Sequence, residues 1–211
     1  MIKFYIILIK NILKKIMHLF FSTPVWASKI ADHQIINKQI LSYILDLQKK
    51  DSTGLKKSNF NGWHSHDFNL SEDAPKDFTQ SIKPNINQAL KDMNWDLEKQ
   101  EVKITSMWAI INEHGAFNQR HHHGNSDLSA AYYVTAKENC GDIVFYDPRP
   151  APVYRHPIAK SPNILNASVN SVQPEEGLLV LFPSYLEHSV NPNNSSSKRI
   201  VISFNLSLEK I

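Results

Sequence analysis

Ten of the 211 residues are histidine and only one is cysteine, and three of the histidines are consecutive at His121, His122 and His123. Residues two apart on an extended chain point the same way, so His121 and His123 can offer two nitrogens to one ion while His122 faces elsewhere. A further imidazole, His188, follows the apolar run GLLVLF and falls just past the end of a buried strand. Arg199 lies eleven residues beyond it, across the turn-rich stretch NPNNSSSK. A hairpin there would place Arg199 on the strand next to His188, facing the same interior. A lone guanidinium inside a barrel is costly, and a carboxylate held in its bidentate fork removes that cost. Each feature alone has a bland reading: a solvated HHH turn, a structural histidine, a surface arginine. Jointly they describe a metal site of imidazole and carboxylate, because the single Cys140 excludes a CxxC zinc site and an intramolecular disulfide.

The composition sets the frame. At 42% hydrophobic and 20% charged, the chain suits one globular domain, and disorder, collagen and coiled coil are excluded. A net charge of +3 does not by itself imply a nucleic-acid surface, and none is expected. Cysteine usage points to a reducing compartment, so a cytoplasmic location is expected. Residues 1–21 are rich in Ile and Leu, but Lys10, Lys14 and Lys15 interrupt them. A spanning helix needs about 20 apolar residues and a signal peptide an unbroken run of about 7–15. A basic amphipathic helix on a membrane surface is weighed here against a bland helix or frayed extension, and the bland reading is preferred. The organisation expected is an extension over residues 1–18 and one domain over 19–211, helical in 19–100 and β-rich in 101–208.

Elements to position the site are legible along the chain. A short strand is expected around Pro24–Ala27, then a helix within 29–50 carrying Ile36, Ile40, Ile44 and Leu47 on one face, with Asp32 as N-cap. Residues 51–70 read as loop. A second helix is expected over 82–97, with Pro84 in its first turn. Strands are expected at Glu101–Asn112, Leu128–Thr135, Asp142–Tyr146, Gly177–Pro183 and Arg199–Leu208. Helices followed by spaced strands indicate a β-sandwich or jelly roll with its helices packed on one sheet. In the last strand Ile200, Ile202, Phe204 and Leu206 share a face that packs under the helices. Arg199, Val201, Ser203 and Asn205 face a wet interior.

A near pair of ligands, a distant histidine and an arginine about ten residues later form the layout of non-haem iron sites that use 2-oxoglutarate. The sequence resembles the 2-oxoglutarate/Fe(II)-dependent oxygenase superfamily, in a branch related to the prolyl 4-hydroxylases. Five stretches carry the resemblance in order: Phe21-Ser-Thr-Pro-Val-Trp26; Ser58-Asn-Phe-Asn-Gly-Trp63-His-Ser65; Trp108-Ala-Ile-Ile-Asn112 followed by Asn118-Gln-Arg-His121-His-His123; Leu128-Ser-Ala-Ala-Tyr-Tyr133-Val leading to Asp147-Pro-Arg149; and Phe182-Pro-Ser-Tyr-Leu-Glu-His188 with Arg199-Ile-Val-Ile-Ser-Phe-Asn205. The resemblance implies a double-stranded β-helix (jelly roll, cupin-like) with flanking helices, an α+β chain that is mainly β. It implies a dioxygenase that hydroxylates a small-molecule or peptide substrate with O2, releasing succinate and CO2, with ascorbate as an optional reductant. It places Fe(II) on His121, His123 and His188 and the distal carboxylate of 2-oxoglutarate on Arg199. Asn112, Ser129 and Tyr133 are candidates to help hold 2-oxoglutarate, with packing an equal reading for each. Most of the superfamily has H-x-D or H-x-E where this chain has His123, and Asp127 is the fallback ligand.

Two other readings stand beside it: a cupin-like three-histidine dioxygenase without 2-oxoglutarate, against which Arg199 argues, and a metal- or ligand-binding jelly roll without turnover. His64 and His66 form a second H-x-H, read as structural. Trp63, Trp95 and Trp108 read as core aromatics, Cys140 as an unreactive turn residue and Arg149 as a substrate-side contact. The loops 112–127 and 147–176 are expected to line the pocket.

Overall fold

A computed structural model describes residues 17–150 and 157–211. The expectations for residues 1–16 therefore lie outside the described residues, and Met17, Leu19, Phe20 and Phe21 are exposed. No described helix is long and apolar enough to cross a membrane.

Among the described residues, eleven strands and two helices follow in the order β1 (Trp26–Lys29), α1 (His33–Lys50), β2 (Asn59–Phe60), β3 (Trp63–His64), α2 (Asp73–Asp92), β4 (Gln100–Asn112), β5 (Phe117–His121), β6 (Leu128–Thr135), β7 (Ile143–Tyr146), β8 (Val169–Val172), β9 (Leu178–Pro183), β10 (His188–Val190) and β11 (Arg199–Lys210). They form two antiparallel sheets, a six-stranded one in the order β1-β9-β6-β11-β4-β3 and a five-stranded one in the order β2-β5-β10-β7-β8. This is the jelly roll expected.

The alternation of β11 divides the molecule. Ile200, Ile202, Phe204 and Leu206 pack outward with Ile40 and Ile44 of α1 and Phe78, Ile82 and Ile86 of α2 in the main core. Val201 faces inward with Tyr133, Phe145 and Phe182 in a smaller cluster between the sheets. Both helices thus cover one face of the large sheet, and the small sheet closes the other.

Several local expectations are corrected. Asp32 does precede α1, but it sits at φ 52 with no side-chain cap. Its carbonyl takes the Ile35 and Ile36 amides instead. The second helix begins nine residues earlier than 82 and stops at Asp92. Its first-turn proline is Pro75, behind the acidic Asp73, while Pro84 lies inside the helix. A proline in the first turn gives up an amide that has no intrahelical partner anyway. Interior Pro84 is tolerated because the apolar stripe runs unbroken on both sides of it. Strands β2, β3, β5, β8 and β10 fall where loop or turn was expected. They are two to five residues long and mostly polar, so they carry no period-two apolar signal.

Truncating Ile82, fully buried at 0% exposure, removes contacts to both helices and the sheet. Ile82→Ala is expected to lower unfolding free energy by about 2–5 kcal/mol. Urea melts read by circular dichroism should show a lower midpoint at an unchanged slope.

Candidate metal centre

Strand β5 ends at His121 and β10 begins at His188, and the pairing register sets these two directly opposite each other. Their ring centroids are 4.3 Å apart. His123 follows two residues later, its amide donating to the Ser184 carbonyl at 2.9 Å, and its ring lies 5.2 Å from His121 and 5.3 Å from His188. One nitrogen from each ring lies within 4.8 Å of the others. His122 is exposed between them.

Backbone carbonyls fix two of the tautomers. Nδ1 of His121 lies 2.6 Å from the Gln119 carbonyl and Nδ1 of His188 lies 3.0 Å from that of Leu186. A carbonyl only accepts, so each Nδ1 carries the proton and each Nε2 is left with a free lone pair. His123 has no such partner. Its ring is held by stacking, on Trp108 at 5.8 Å and on His188 at an interplanar angle of 9°.

Burial keeps the cluster uncharged. Desolvation, reinforced by the neighbouring His121, pushes His123 down to about 4 and His188 down to about 3, and burial also lowers His121. Three neutral imidazoles at pH 7 are donors ready for a borderline divalent ion such as Fe(II) or Zn(II). Asp127 is directed elsewhere, its carboxylate accepting the Leu208 amide at 2.7 Å.

Arg199 is 1% exposed. The expected hairpin is not formed: β10 pairs with β5 and β7, whereas β11 pairs with β4 and β6. His188 and Arg199 therefore stand on opposite sheets and face each other across the interior, since the segment between them crosses from one sheet to the other. Nη1 of Arg199 donates to the carbonyls of Cys140, Gly141 (3.0 Å) and Asn191 (3.1 Å). Nη2 is buried without a partner, and among the described residues no carboxylate pairs with the guanidinium. Gly141, at φ +90, lets the chain approach, because a Cβ there would strike the Asn191 carbonyl and the guanidinium.

The walls around Arg199 enclose a cavity of about 630 Å³ that also reaches His121, His123 and His188, within the usual size range of ligand sites. Tyr133, 1% exposed, lines it with its hydroxyl pushed up by burial and opposed by the Arg199 charge. Asn112 lies opposite Arg199 in the β4–β11 register. Its Nδ2 donates to Asn118 Oδ1 at 3.0 Å and its Oδ1 is unpartnered. Ser129 is not on this wall. Its hydroxyl is engaged with Ser184 (2.7 Å) and Asn205 (2.9 Å).

Two cavity residues were read as structural from sequence. Trp108 lines the cavity with a buried, unpartnered Nε1, and His64 stacks on it at 5.5 Å and 9°. Residues 147–176 do not reach this cavity among the described residues. Arg149 pairs with Asp147 at a separate groove. Trp63 is buried, its Nε1 donating to the Asp51 carbonyl at 2.7 Å.

Two antiparallel sheets enclose a cavity with a neutral imidazole cluster that could hold a metal on one side and a buried arginine on the other, the layout of a double-stranded β-helix with a candidate metal centre. Residues 106–205 match the family described as "Putative 2OG-Fe(II) oxygenase". The matched stretch contains every histidine of the cluster as well as Arg199. Similar solved structures include a Pseudomonas putida prolyl-4-hydroxylase (TM-score 0.63, 11% identity, covering 88% of this chain and 93% of that one). A prolyl hydroxylase from Trichoplax adhaerens, in complex with a hypoxia inducible factor peptide fragment, gives 0.62 at 13% identity over 88% and 84%. The epimerase SnoN, in complex with Fe3+, alpha ketoglutarate and nogalamycin RO, gives 0.63 at 10% identity over 88% and 79%. At these identities the likeness is one of fold. No curated protein matches the sequence.

Two outcomes follow from this geometry. Replacing His121, His123 or His188 by Ala should weaken Co(II) binding, measured calorimetrically, on the order of 100-fold, at or beyond the loss seen when even an orienting partner is removed. Asp127→Asn should leave Co(II) affinity unchanged. In the metal-free protein, the lowered folded-state values lie below the unfolded histidine value near 6.5, so unfolding takes up protons and stability falls as pH drops from about 6.5 toward 4. Urea midpoints across that window should show this decline, and His188→Phe should flatten it.

Proposed function

We propose that the chain is an Fe(II)- and 2-oxoglutarate-dependent dioxygenase in which His121, His123 and His188 hold the metal and Arg199, beside Tyr133, holds the distal carboxylate of 2-oxoglutarate. The observation that carries the reading is the pairing, across one cavity, of three neutral imidazoles with a guanidinium whose Nη2 has no protein partner. An unpaired buried cation is costly, and the donor fork is complementary to a carboxylate.

When bound, iron and 2-oxoglutarate supply the oxidation: the keto acid is decarboxylated to succinate and CO2 as O2 is consumed, and one oxygen atom is delivered to a substrate C–H bond. The protein's own groups bind and orient. The Gln119 and Leu186 carbonyls point Nε2 of His121 and His188 inward. Both ligands stand on paired strands, which fixes their separation more tightly than a loop would. His121 and His188 come from the small sheet and His123 from the segment just past β5, and together they would hold the metal at the cavity wall. Arg199 sets the depth to which a dicarboxylate enters, while Phe182, Ile143 and Val201 exclude water from the inner wall. Asn112, opposite Arg199, offers an amide to the same end. Ser129 supports the inner wall through Ser184 and Asn205. Ascorbate would serve as an optional external reductant.

A cupin-like three-histidine chemistry without 2-oxoglutarate leaves the Arg199 guanidinium without a counterpart, and a role limited to binding predicts no turnover. Anaerobic addition of Fe(II) and 2-oxoglutarate should give a metal-to-ligand charge-transfer band, and admitting O2 should yield succinate. Arg199→Ala should raise the 2-oxoglutarate Kd about 30- to 5000-fold, corresponding to roughly 2–5 kcal/mol for a truncated buried charge pair, with Arg199→Lys intermediate. No band with the unaltered protein, or an unchanged band in Arg199→Ala, overturns the reading.

A further inference from the structure

Three buried side-chain atoms lack a hydrogen-bond partner among the described residues: Nη2 of Arg199, Oδ1 of Asn112 and Nε1 of Trp108. All three residues line the same cavity. The first two lie opposite each other at one end of the β4–β11 ladder, where the keto acid is assigned. Trp108 is four residues earlier on β4, opposite Ser203, and its ring packs on His123. Its orphaned N–H is therefore on the metal side of the cavity, apart from the carboxylate end. Leaving a buried donor unmade is costly, so the indole N–H points to an acceptor brought by a ligand.

A second polar atom stands beside it. His64 is 8% exposed and stacked nearly parallel on Trp108. Its Nδ1 lies 2.7 Å from the Ser65 carbonyl, which can only accept, so Nδ1 carries the proton and Nε2 is an acceptor with no protein partner. The position is rigid. β3 pairs Trp63 and His64 with Ile111 and Ile110, the Ser65 amide donates to the Ala109 carbonyl at 3.0 Å, and the Ala109 amide donates to Ser65 Oγ at 2.9 Å. The cavity wall thus carries one donor and one acceptor, on two rings stacked with their centroids 5.5 Å apart.

We propose that Trp108 Nε1–H and His64 Nε2 form a donor–acceptor pair that reads a neutral amide group of the substrate next to the metal centre. The proposal rests on the oxygenase reading of the same cavity and adds the substrate class. An amide C=O accepts from the indole while its N–H donates to the imidazole. A carboxylate would turn a lone pair toward His64 Nε2, and an ammonium would leave the indole N–H unmade. Discrimination of this kind is strong because the wrong partner leaves a buried polar group unpaired.

The test is a titration of the 15N-labelled protein with acetamide, acetate and methylammonium, reading the indole N–H cross-peaks. Trp108→Phe identifies the Trp108 peak, and the peaks of Trp26, Trp63 and Trp95 report that the fold is retained. Acetamide should move the Trp108 peak downfield and saturably, and acetate and methylammonium should not. His64→Phe, which keeps an aromatic ring in the stack, should weaken acetamide binding at least 5-fold. A peak that ignores acetamide, that moves equally with acetate, or that keeps its acetamide affinity in His64→Phe overturns the proposal. The titration is run metal-free and again with Zn(II) and 2-oxoglutarate. If the keto acid fails to bind while the metal-free response persists, the oxygenase reading fails and the amide pair stands.

Discussion

The Arg199 guanidinium is the interaction on which the interior depends. It enters from the last strand of the large sheet, and its Nη1 is clasped by carbonyls of Cys140 and Gly141, in the β6–β7 connection, and of Asn191, just past β10 of the small sheet. One cation thereby fastens the end of one sheet to connections of the other. Three carbonyl dipoles solvate half of the ion and leave Nη2 bare, so the same side chain that joins the sheets demands an anion between them. The bond pattern explains why Gly141 takes a conformation that favours glycine. It also explains why the inner faces do not collapse, since a filled apolar interior would bury that cation with no counter-ion.

The opposite wall answers with neutrality. Burial and mutual repulsion hold all three histidines uncharged, so the cluster adds no formal charge to a divalent ion. A dianionic keto acid would cancel a divalent metal, leaving Arg199 as the buried positive charge of the cavity, with Lys57 and Arg120 at its exposed part. A carboxylate in place of His123 would cancel that charge as well. The H-x-H triplet thus shifts the interior by one unit, and a cavity of that balance has no electrostatic use for a second cation on the substrate. The uncharged donor and acceptor of Trp108 and His64 are consistent with this balance.

Legibility in the sequence followed the physics of each element. The long strands of the large sheet were readable because they alternate or run apolar through a buried layer, and Leu128–Thr135 has the bounds expected. The small sheet was hidden. FNQRH and HSV are short and carry polar residues toward the cavity, and VNSV is a largely exposed edge strand, so none of them shows a sustained apolar alternation. The three histidines could be picked out by type and spacing, and Arg199 by its distance from His188. Their placement on opposite sheets could not, because the crossing between sheets leaves no periodic trace. Ser129 looked inward by alternation, but its hydroxyl is taken up by Ser184 and Asn205. Trp108 and His64 were read as packing residues because an aromatic on an apolar strand has no local mark of an unpaired N–H. The available sign was the period-two spacing of Trp108, Ile110 and Asn112, which puts the indole on the same wall as a candidate site residue.

The way His123 is held links these parts. His121 and His188 owe their orientation to backbone carbonyls on paired strands, whereas His123 lies past the end of β5 and takes its orientation from the rings of Trp108 and His188. An imidazole steered by stacking has a softer restraint than one steered by a hydrogen bond, because stacking fixes the plane and tolerates sliding within it. The indole that supplies the restraint also carries the unpartnered N–H proposed to meet the substrate. Any group that engages that N–H therefore acts on the ring against which the third ligand rests. In this fold, substrate contact and metal geometry converge on one side chain, and the least firmly held ligand is the one nearest to it.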